Sequence, residues 1–496
     1  MPFRWLCLIL AVLLILALLM IGTEGTFAQD SSPAGAPGAG DSLYPGLGGG
    51  GLDVVDYALN LTIDPDTRTI DGVAVIQALA THDLSAFNLD FIGFDIQRVL
   101  VNGLPATFSR AGSELTVTPL TPIPAGSPFT VEVHYRGSPQ PVNDPSLGAR
   151  IGFNFTSTGA YVASEPDGAA TWYPVNDHPS DKATYTFTLT VPEGLVAVAN
   201  GLLLDVTTAD GLSTYVWRMN QPMASYLAMT SVGDYTIVEA DPADDVPLRN
   251  VFPSRYVAAG ERAFADQDEM LNFFAGAFGP YPFDAYGALV IPQGLGFALE
   301  TQSMSLFGLT ELASGLAGGD FEEVVAHELA HSWFGNAISP ADWGDIWLNE
   351  GFATYASWLW FEDQAGPETL EQIVRGSYDQ FSGQAFVDNG FTAAEARRIV
   401  SRFGAPGNPP ADDLFGMPVY VRGALLLHAL RLALGDEDFF AVLQTYYGRF
   451  QYQSVTTADF ITVAEEVSGR DLSAFFDAWL YDPIVPPIKS LGLAPV

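Results

Sequence analysis

The sequence predicts a multidomain chain, with an N-terminal antiparallel β-sandwich over residues 53–240 followed by an α+β domain over 241–485. Three observations carry that expectation. At 496 residues the chain is too long for one ordinary core. Apolar residues alternate with polar ones through the first half and recur at helical spacing through the second. No internal repeat is evident.

Ahead of both domains the chain reads Met1-Pro2-Phe3-Arg4, then an apolar run from Trp5 to Ile21, then Thr26-Phe27-Ala28 before Gln29. A basic start, an apolar stretch and a small-residue cleavage site predict a signal peptide over 1–28 and a secreted, extracellular product. An uncleaved membrane anchor is the alternative. No other run could span a bilayer, so no stable membrane span is expected once the signal is removed. The single cysteine, Cys7, lies inside this segment, and no disulfide framework exists. Stability must then come from core burial or a bound metal. Residues 29–52, rich in Ser, Pro, Ala and Gly and ending in Gly48-Gly49-Gly50-Gly51, read as a flexible linker.

Strands follow. Val55, Tyr57, Leu59, Leu61 and Ile63 alternate with polar residues, as do Phe129, Val131, Val133 and Tyr135, and then Tyr185, Phe187, Leu189 and Val191. Period two, broken by Pro, Gly and Asp, describes half-buried strands of a sandwich. After Asp241 the pattern lengthens into helices over 261–278, 321–335, 346–364, 420–434 and 439–450, with one strand-like piece at Ala288–Ile291 before the Gly294-Leu295-Gly296 turn. Residues 486–496 are left as a C-terminal tail.

Charge narrows the partners. With 58 acidic against 20 basic side chains the formal charge is −38, and such a surface repels phosphate backbones. A nucleic acid is therefore not an expected partner.

The chemistry concentrates in Val325-Ala326-His327-Glu328-Leu329-Ala330-His331-Ser332-Trp333-Phe334-Gly335-Asn336. Two histidines four apart on a helix share one face, so both imidazoles reach one metal ion. Glu328 lies between them, placed to take a proton from an activated water. The bland reading, a chance pair of helix-face histidines, fits poorly in a chain with six histidines whose pair falls in a helix otherwise rich in Ala, Val, Leu and Trp. A catalytic zinc takes a third protein ligand and keeps a fourth position open. Trp347-Leu348-Asn349-Glu350-Gly351-Phe352-Ala353 supplies a carboxylate in apolar company, nineteen residues after His331 (350 − 331).

At this spacing the HELAH and WLNEGFA segments resemble the zinc aminopeptidase family that includes aminopeptidase N and leukotriene hydrolase. The resemblance runs from about Tyr44 to Tyr481. It implies a thermolysin-like α+β zinc metallopeptidase domain, one Zn2+ per chain held by His327, His331 and Glu350, and peptide substrates with a free N-terminus. The family's Gly-x-Met-Glu-Asn motif corresponds to the stretch opening at Gly296, in which Glu300 keeps the amine-binding carboxylate while Phe297, Leu299 and Thr301 replace the usual Gly, Met and Asn. Gly296 and Glu300 are thus implied in substrate binding. Glu165, in Val162-Ala163-Ser164-Glu165-Pro166, resembles the family's second amine-binding glutamate, with Ala163 where a glutamine is usual. Tyr420, in Tyr420-Val421-Arg422-Gly423, fits the tyrosine that stabilises the oxyanion. The large helical C-terminal domain of many relatives has no counterpart in the sequence, which implies a cleft more open on that side. His82, His134, His178 and His428 are assigned no ligand role.

Two rivals remain open at this stage. A zinc endopeptidase would use the same metal chemistry without measuring from the chain end, and a non-catalytic binding module would keep the fold alone. An epoxide hydrolase needs a lipid tunnel that the sequence does not trace.

Overall fold

The computed structural model describes residues 33–240, 246–316 and 321–496. The expected signal peptide lies outside them. No helix among the described residues is long and apolar enough to cross a membrane.

The first half is built on an eight-stranded sheet whose spatial order is Leu202–Ala209, Leu212–Ala224, Lys182–Pro192, Leu52–Asp64, Thr69–Ala80, Pro128–Gly137, Asp95–Val101 and Leu104–Pro105. Smaller sheets pack with it, a five-stranded one containing Ala149–Phe155 and Ala160–Ala163 and a three-stranded one containing Phe87–Asp90. The alternation read from the sequence is the alternation of burial: Phe129, Val131, Val133, Tyr135, Tyr185, Phe187, Leu189 and Val191 are all buried. Tyr57 stacks on Tyr185 with centroids 4.9 Å apart, one of several aromatic contacts that fill the space behind the sheet.

Two details depart from the expected sheet. Leu52–Asp64 and Lys182–Pro192 run parallel, with Asp56 opposite Thr184 and Thr62 opposite Thr190, so the sheet is mixed at its centre. Val55 was expected on the core face and is 48% exposed, while Val54 is 1% exposed. The register shifts between Val54 and Asp56, and an irregularity of this kind moves the side chains before it to the opposite face.

The stretch expected to be a flexible linker is instead held in place from residue 33 onward. Residues 33–51 lie against the protein: Gly35 N–H donates to Ala86 O (2.8 Å) and Gly48 N–H to Asp90 Oδ2 (3.0 Å). Asp41 is 3% exposed and accepts from the Trp343 amide at 2.8 Å and from His178 Nε2 at 3.3 Å. Ser42 donates to Asp342 through its amide (2.8 Å) and hydroxyl (2.6 Å). Glycine here permits close approach rather than freedom: a Cβ on Gly49 would sit 2.6 Å from the Asn88 carbonyl oxygen. The tail behaves likewise, with Tyr378 OH donating to Pro486 O (3.0 Å) and Val496 N–H to Ser382 O (3.2 Å).

The second half opens on a four-stranded sheet of Tyr235–Ala240, Leu248–Pro253, Ala288–Ile291 and Ser305–Gly308, which therefore begins before residue 241. Helices Phe321–Ala330 and Trp347–Ala365 pack on each other, and Gly423–Leu434 crosses the second of them. That crossing is close because two glycines meet: a Cβ on Gly351 would lie 2.9 Å from Gly423 Cα. The contact draws the turn before Gly423 down onto the helix that carries Glu350.

Candidate metal centre and active site

His327 and His331 stand one turn apart on Phe321–Ala330 and the residues that follow it, and Glu350 comes from the first turn of Trp347–Ala365. Their ligand atoms converge: Nε2 of His327 and His331 are 3.0 Å apart, and Glu350 Oε2 lies 3.2 Å from His327 Nε2 and 3.5 Å from His331 Nε2. A tetrahedral zinc with bonds of about 2.0–2.1 Å separates its ligands by about 3.3 Å. The three atoms fit such an ion, and two imidazole nitrogens face to face have little other reason to approach so closely.

The surrounding bonds fix ring orientation. His331 Nδ1 lies 3.0 Å from the Phe334 carbonyl, which can only accept, so Nδ1–H donates there and Nε2 is the atom directed at His327 and Glu350. His327 Nδ1 lies 3.4 Å from Thr354 Oγ1, four residues beyond Glu350 on the same helix. Burial alone would raise Glu350, but the charge of His331 and hydrogen bonds from both histidines outweigh it and bring the carboxyl down to about 2. Burial would lower His331, and there the carboxylates of Glu300 and Glu350 win, raising it to about 10.

Around this triad gather three more carboxylates. Atoms of Glu165, Glu300 and Glu350 lie within 4.8 Å of one another, as do atoms of Glu300, Glu328 and His331. Glu165 and Glu300 are each 3% exposed and Glu328 is 6% exposed. One oxygen of each, Glu165 Oε1, Glu300 Oε1 and Glu328 Oε2, is buried without a hydrogen-bond partner. Among the described residues, none of the four glutamates pairs with a lysine or arginine; their only ion pairs are with the two histidines. Burial pushes Glu165 and Glu328 well above the usual carboxylate range, and mutual repulsion adds to it. Glu300 is raised by burial, against the pull of His331 3.9 Å away. Ionised carboxylates buried here without partners are costly, and a cation placed among them would relieve that cost.

Tyr420 sits in a turn of π-helix, Pro418–Arg422, leading into Gly423–Leu434. Its ring stacks 5.9 Å from that of His327 at 23°. Burial, then Glu350 and its neighbours, holds the phenol protonated, as a donor must be. Gly296 is different. It adopts φ +85°, and its amide donates to Glu311 Oε1 at 2.8 Å, away from the glutamate cluster, to which no hydrogen bond joins it among the described residues.

The structure also brings in residues that the sequence left unassigned. Asn336 Nδ2 donates to the Glu300 carbonyl at 2.7 Å, and Lys182 Nζ reaches from the β domain to the Asn336 and Ala337 carbonyls at 2.8 and 3.0 Å. Asn336 closes the segment that holds the histidines, and only that position signalled it. Of the other histidines, His178 faces Asp41 and Ser180, His134 faces Glu132, and His428 Nδ1 lies 3.2 Å from Tyr355 OH.

Comparisons with known proteins match both halves of the chain. Residues 262–479 match the peptidase family M1 domain and residues 54–227 the peptidase M1 N-terminal domain. Aminopeptidase B of Mus musculus is 28% identical over 403 residues, covering 77% of this chain and 58% of that protein. Leucyl aminopeptidase of Saccharolobus solfataricus is 25% identical over 430 residues, covering 81% of this chain and 50% of the relative. The chain thus spans a little over half the length of the curated relative from mouse (58%) and half of the archaeal one (50%). A mutant M1 zinc metallopeptidase from Deinococcus radiodurans, solved with a Tyr-Ser-Ala substrate, superposes with a TM-score of 0.81 at 30% identity, covering 92% of this chain and 100% of that one.

Proposed function

Since this chain belongs to peptidase family M1 and carries that family's two domains, we propose that it is a zinc aminopeptidase that hydrolyses the N-terminal bond of peptides. The observation that carries the reading is the pair Glu165 and Glu300, buried carboxylates with orphaned oxygens beside the ligand triad. A substrate ammonium supplies the missing donors and positive charge, and fixing it there admits one residue before the scissile bond. A site for internal peptide bonds would have no use for such a pair.

His327, His331 and Glu350 are the residues that would hold the zinc. When bound, zinc supplies Lewis acidity, lowering the pKa of a water and polarising a carbonyl. Glu328 takes the proton from the attacking water and returns it to the leaving amine, a role suited to a carboxyl whose burial raises its affinity for a proton. Tyr420 donates its hydroxyl to the oxygen on which negative charge develops. Glu165 and Glu300 hold the ammonium, and the Asn336 bond to the Glu300 backbone keeps that carboxylate in place.

The test is hydrolysis of aminoacyl anilides against their N-acetylated forms, together with zinc analysis of the wild type and His331→Ala. Stoichiometric zinc that disappears in the variant, with cleavage confined to free amines, is the expected outcome. Equal cleavage of blocked and free substrates would remove the aminopeptidase reading in favour of an endopeptidase. Absence of any hydrolysis by the zinc-loaded protein would favour the binding module.

Export completes the proposal: the basic, apolar and small-residue pattern of residues 1–28 supports a cleaved signal and secretion. Mass spectrometry of the culture supernatant should find a chain beginning at or near Gln29. An intact N-terminus recovered only from membranes would favour the anchor.

A further inference from the structure

The metal ligands all belong to the catalytic half, yet a side chain of the β domain joins the segments that carry two of them. Tyr226 lies in the short 3-10 turn Ser225–Leu227 and is 0% exposed. Its hydroxyl donates to the Gly335 carbonyl at 2.9 Å and accepts from Asn349 Nδ2 at 3.2 Å.

Each partner is next to a group that sets the metal site. Gly335 follows Phe334, whose carbonyl orients His331 through Nδ1 at 3.0 Å. Its φ of +128° turns the chain so tightly that a Cβ there would lie 2.9 Å from His331 Nδ1. Asn349 immediately precedes Glu350, so its side chain reports the rotation of the helix turn that presents the third ligand. Tyr226 thereby bonds the turn behind His331 to the helix turn behind Glu350. Trp343, edge-on to the Tyr226 ring at 5.1 Å and 63°, keeps the ring in place.

We propose that Tyr226 is a positioning residue for zinc, through which the β domain holds His331 and Glu350 in register. The inference rests on the reading of His327, His331 and Glu350 as zinc ligands. Groups that orient ligands from behind typically change metal affinity by about 10–100-fold when removed. Tyr226→Phe removes the hydroxyl and keeps the ring against Trp343.

The experiment titrates metal-free protein with zinc against a chromophoric chelator and measures the melting temperature of the metal-free form. Tyr226→Phe is expected to weaken zinc binding by about tenfold or more. The control is Tyr135→Phe, which deletes another buried hydroxyl of the β domain, one that donates to Trp172 O at 2.9 Å far from the ligands in the chain. It should lower melting temperature without moving the zinc dissociation constant. Unchanged zinc affinity in Tyr226→Phe, or an equal change in both variants, overturns the proposal. Should Tyr226→Phe not fold, Asn349→Ala removes the other end of the same contact, and wild-type zinc affinity in that variant overturns the proposal equally. A wild type that binds no zinc at all refutes instead the assignment of the ligands.

Discussion

Replacing Glu300 by glutamine tests the substrate end of the site. The substitution is nearly isosteric, and the Asn336 contact to the Glu300 backbone is untouched, so the fold should hold. Its cost to catalysis follows from Coulomb's law. Two unit charges about 4 Å apart at an effective dielectric near 20 interact by about 4 kcal/mol. Glutamine keeps a dipole toward the ammonium, and Glu165 remains within 4.8 Å of the same place, so about half of that, ~2 kcal/mol, is expected to be lost. At about 1.4 kcal/mol per tenfold, kcat/KM for a free-amine substrate should fall roughly 30-fold. The rate on the N-acetylated analogue carries no ammonium to lose, so the ratio of the two rates should shrink by a similar factor. The substitution relieves the burial of a carboxylate but also removes its attraction to His331, so the melting temperature of the metal-free protein should change little. Steady-state kinetics on the matched pair, with zinc content as control, reads both quantities. A discrimination ratio identical to wild type would refute the assignment of Glu300 to the ammonium.

Other expectations are simpler. Glu328→Gln should keep metal and fold while losing on the order of 10²–10⁴ in kcat, since an amide cannot accept the proton; a near-normal rate would end its role as base. Tyr420→Phe should lower kcat by on the order of 10²–10³ with little change in KM, and normal kcat at full zinc occupancy would point to another donor. Stability should rise on acidification. Burial raises Asp177 and Asp181 to about 7 each, so the folded chain binds protons that the unfolded chain releases near the ordinary value of 3.8. Stability from these groups is therefore present below about 3.8 and lost as pH rises through about 7, and thermal melts should be higher at about pH 5 than at about pH 8. Asp181→Asn, which imitates the protonated acid, should flatten that slope; an unaltered slope would assign the effect elsewhere.

The candidate metal centre was legible in the sequence because its geometry is local. A spacing of four places His327 and His331 on one helix face whatever surrounds them, and Glu350 stands out as a carboxylate among apolar and aromatic neighbours. Strands were equally plain wherever alternation is regular, as in Tyr185 to Val191. Val55 misled because a single irregularity inverts faces, and periodicity cannot see it. The parallel pairing of Leu52–Asp64 with Lys182–Pro192 is a long-range choice that neither strand encodes alone. Tyr226 and Asn336 escaped for the same reason. Their partners are distant in the chain, and a tyrosine in a turn or an asparagine after a helix has many ordinary uses. The glycine-rich stretch was misread because composition reports the freedom of an isolated backbone, while contacts decide whether that freedom is kept.

That stretch has a consequence for the order in which the molecule assembles. Residues 33–51 find partners within the β domain, among them positions 86, 90, 176 and 178, and far along the chain at 342, 343 and 411; the Ser42 to Asp342 contact spans 300 residues and the Tyr44 to Ala411 contact 367. A chain that emerges from its N-terminus, whether from the ribosome or across a membrane, presents this strap before any surface exists to receive it. The middle of the strap is thus among the last parts to dock, because Asp41, wedged between His178 and the Trp343 amide, closes only when both halves have folded and met. Protease added during refolding should cut near residues 41–44 until the end of the reaction and spare them afterward, so that loss of cleavage there times completion of the whole molecule.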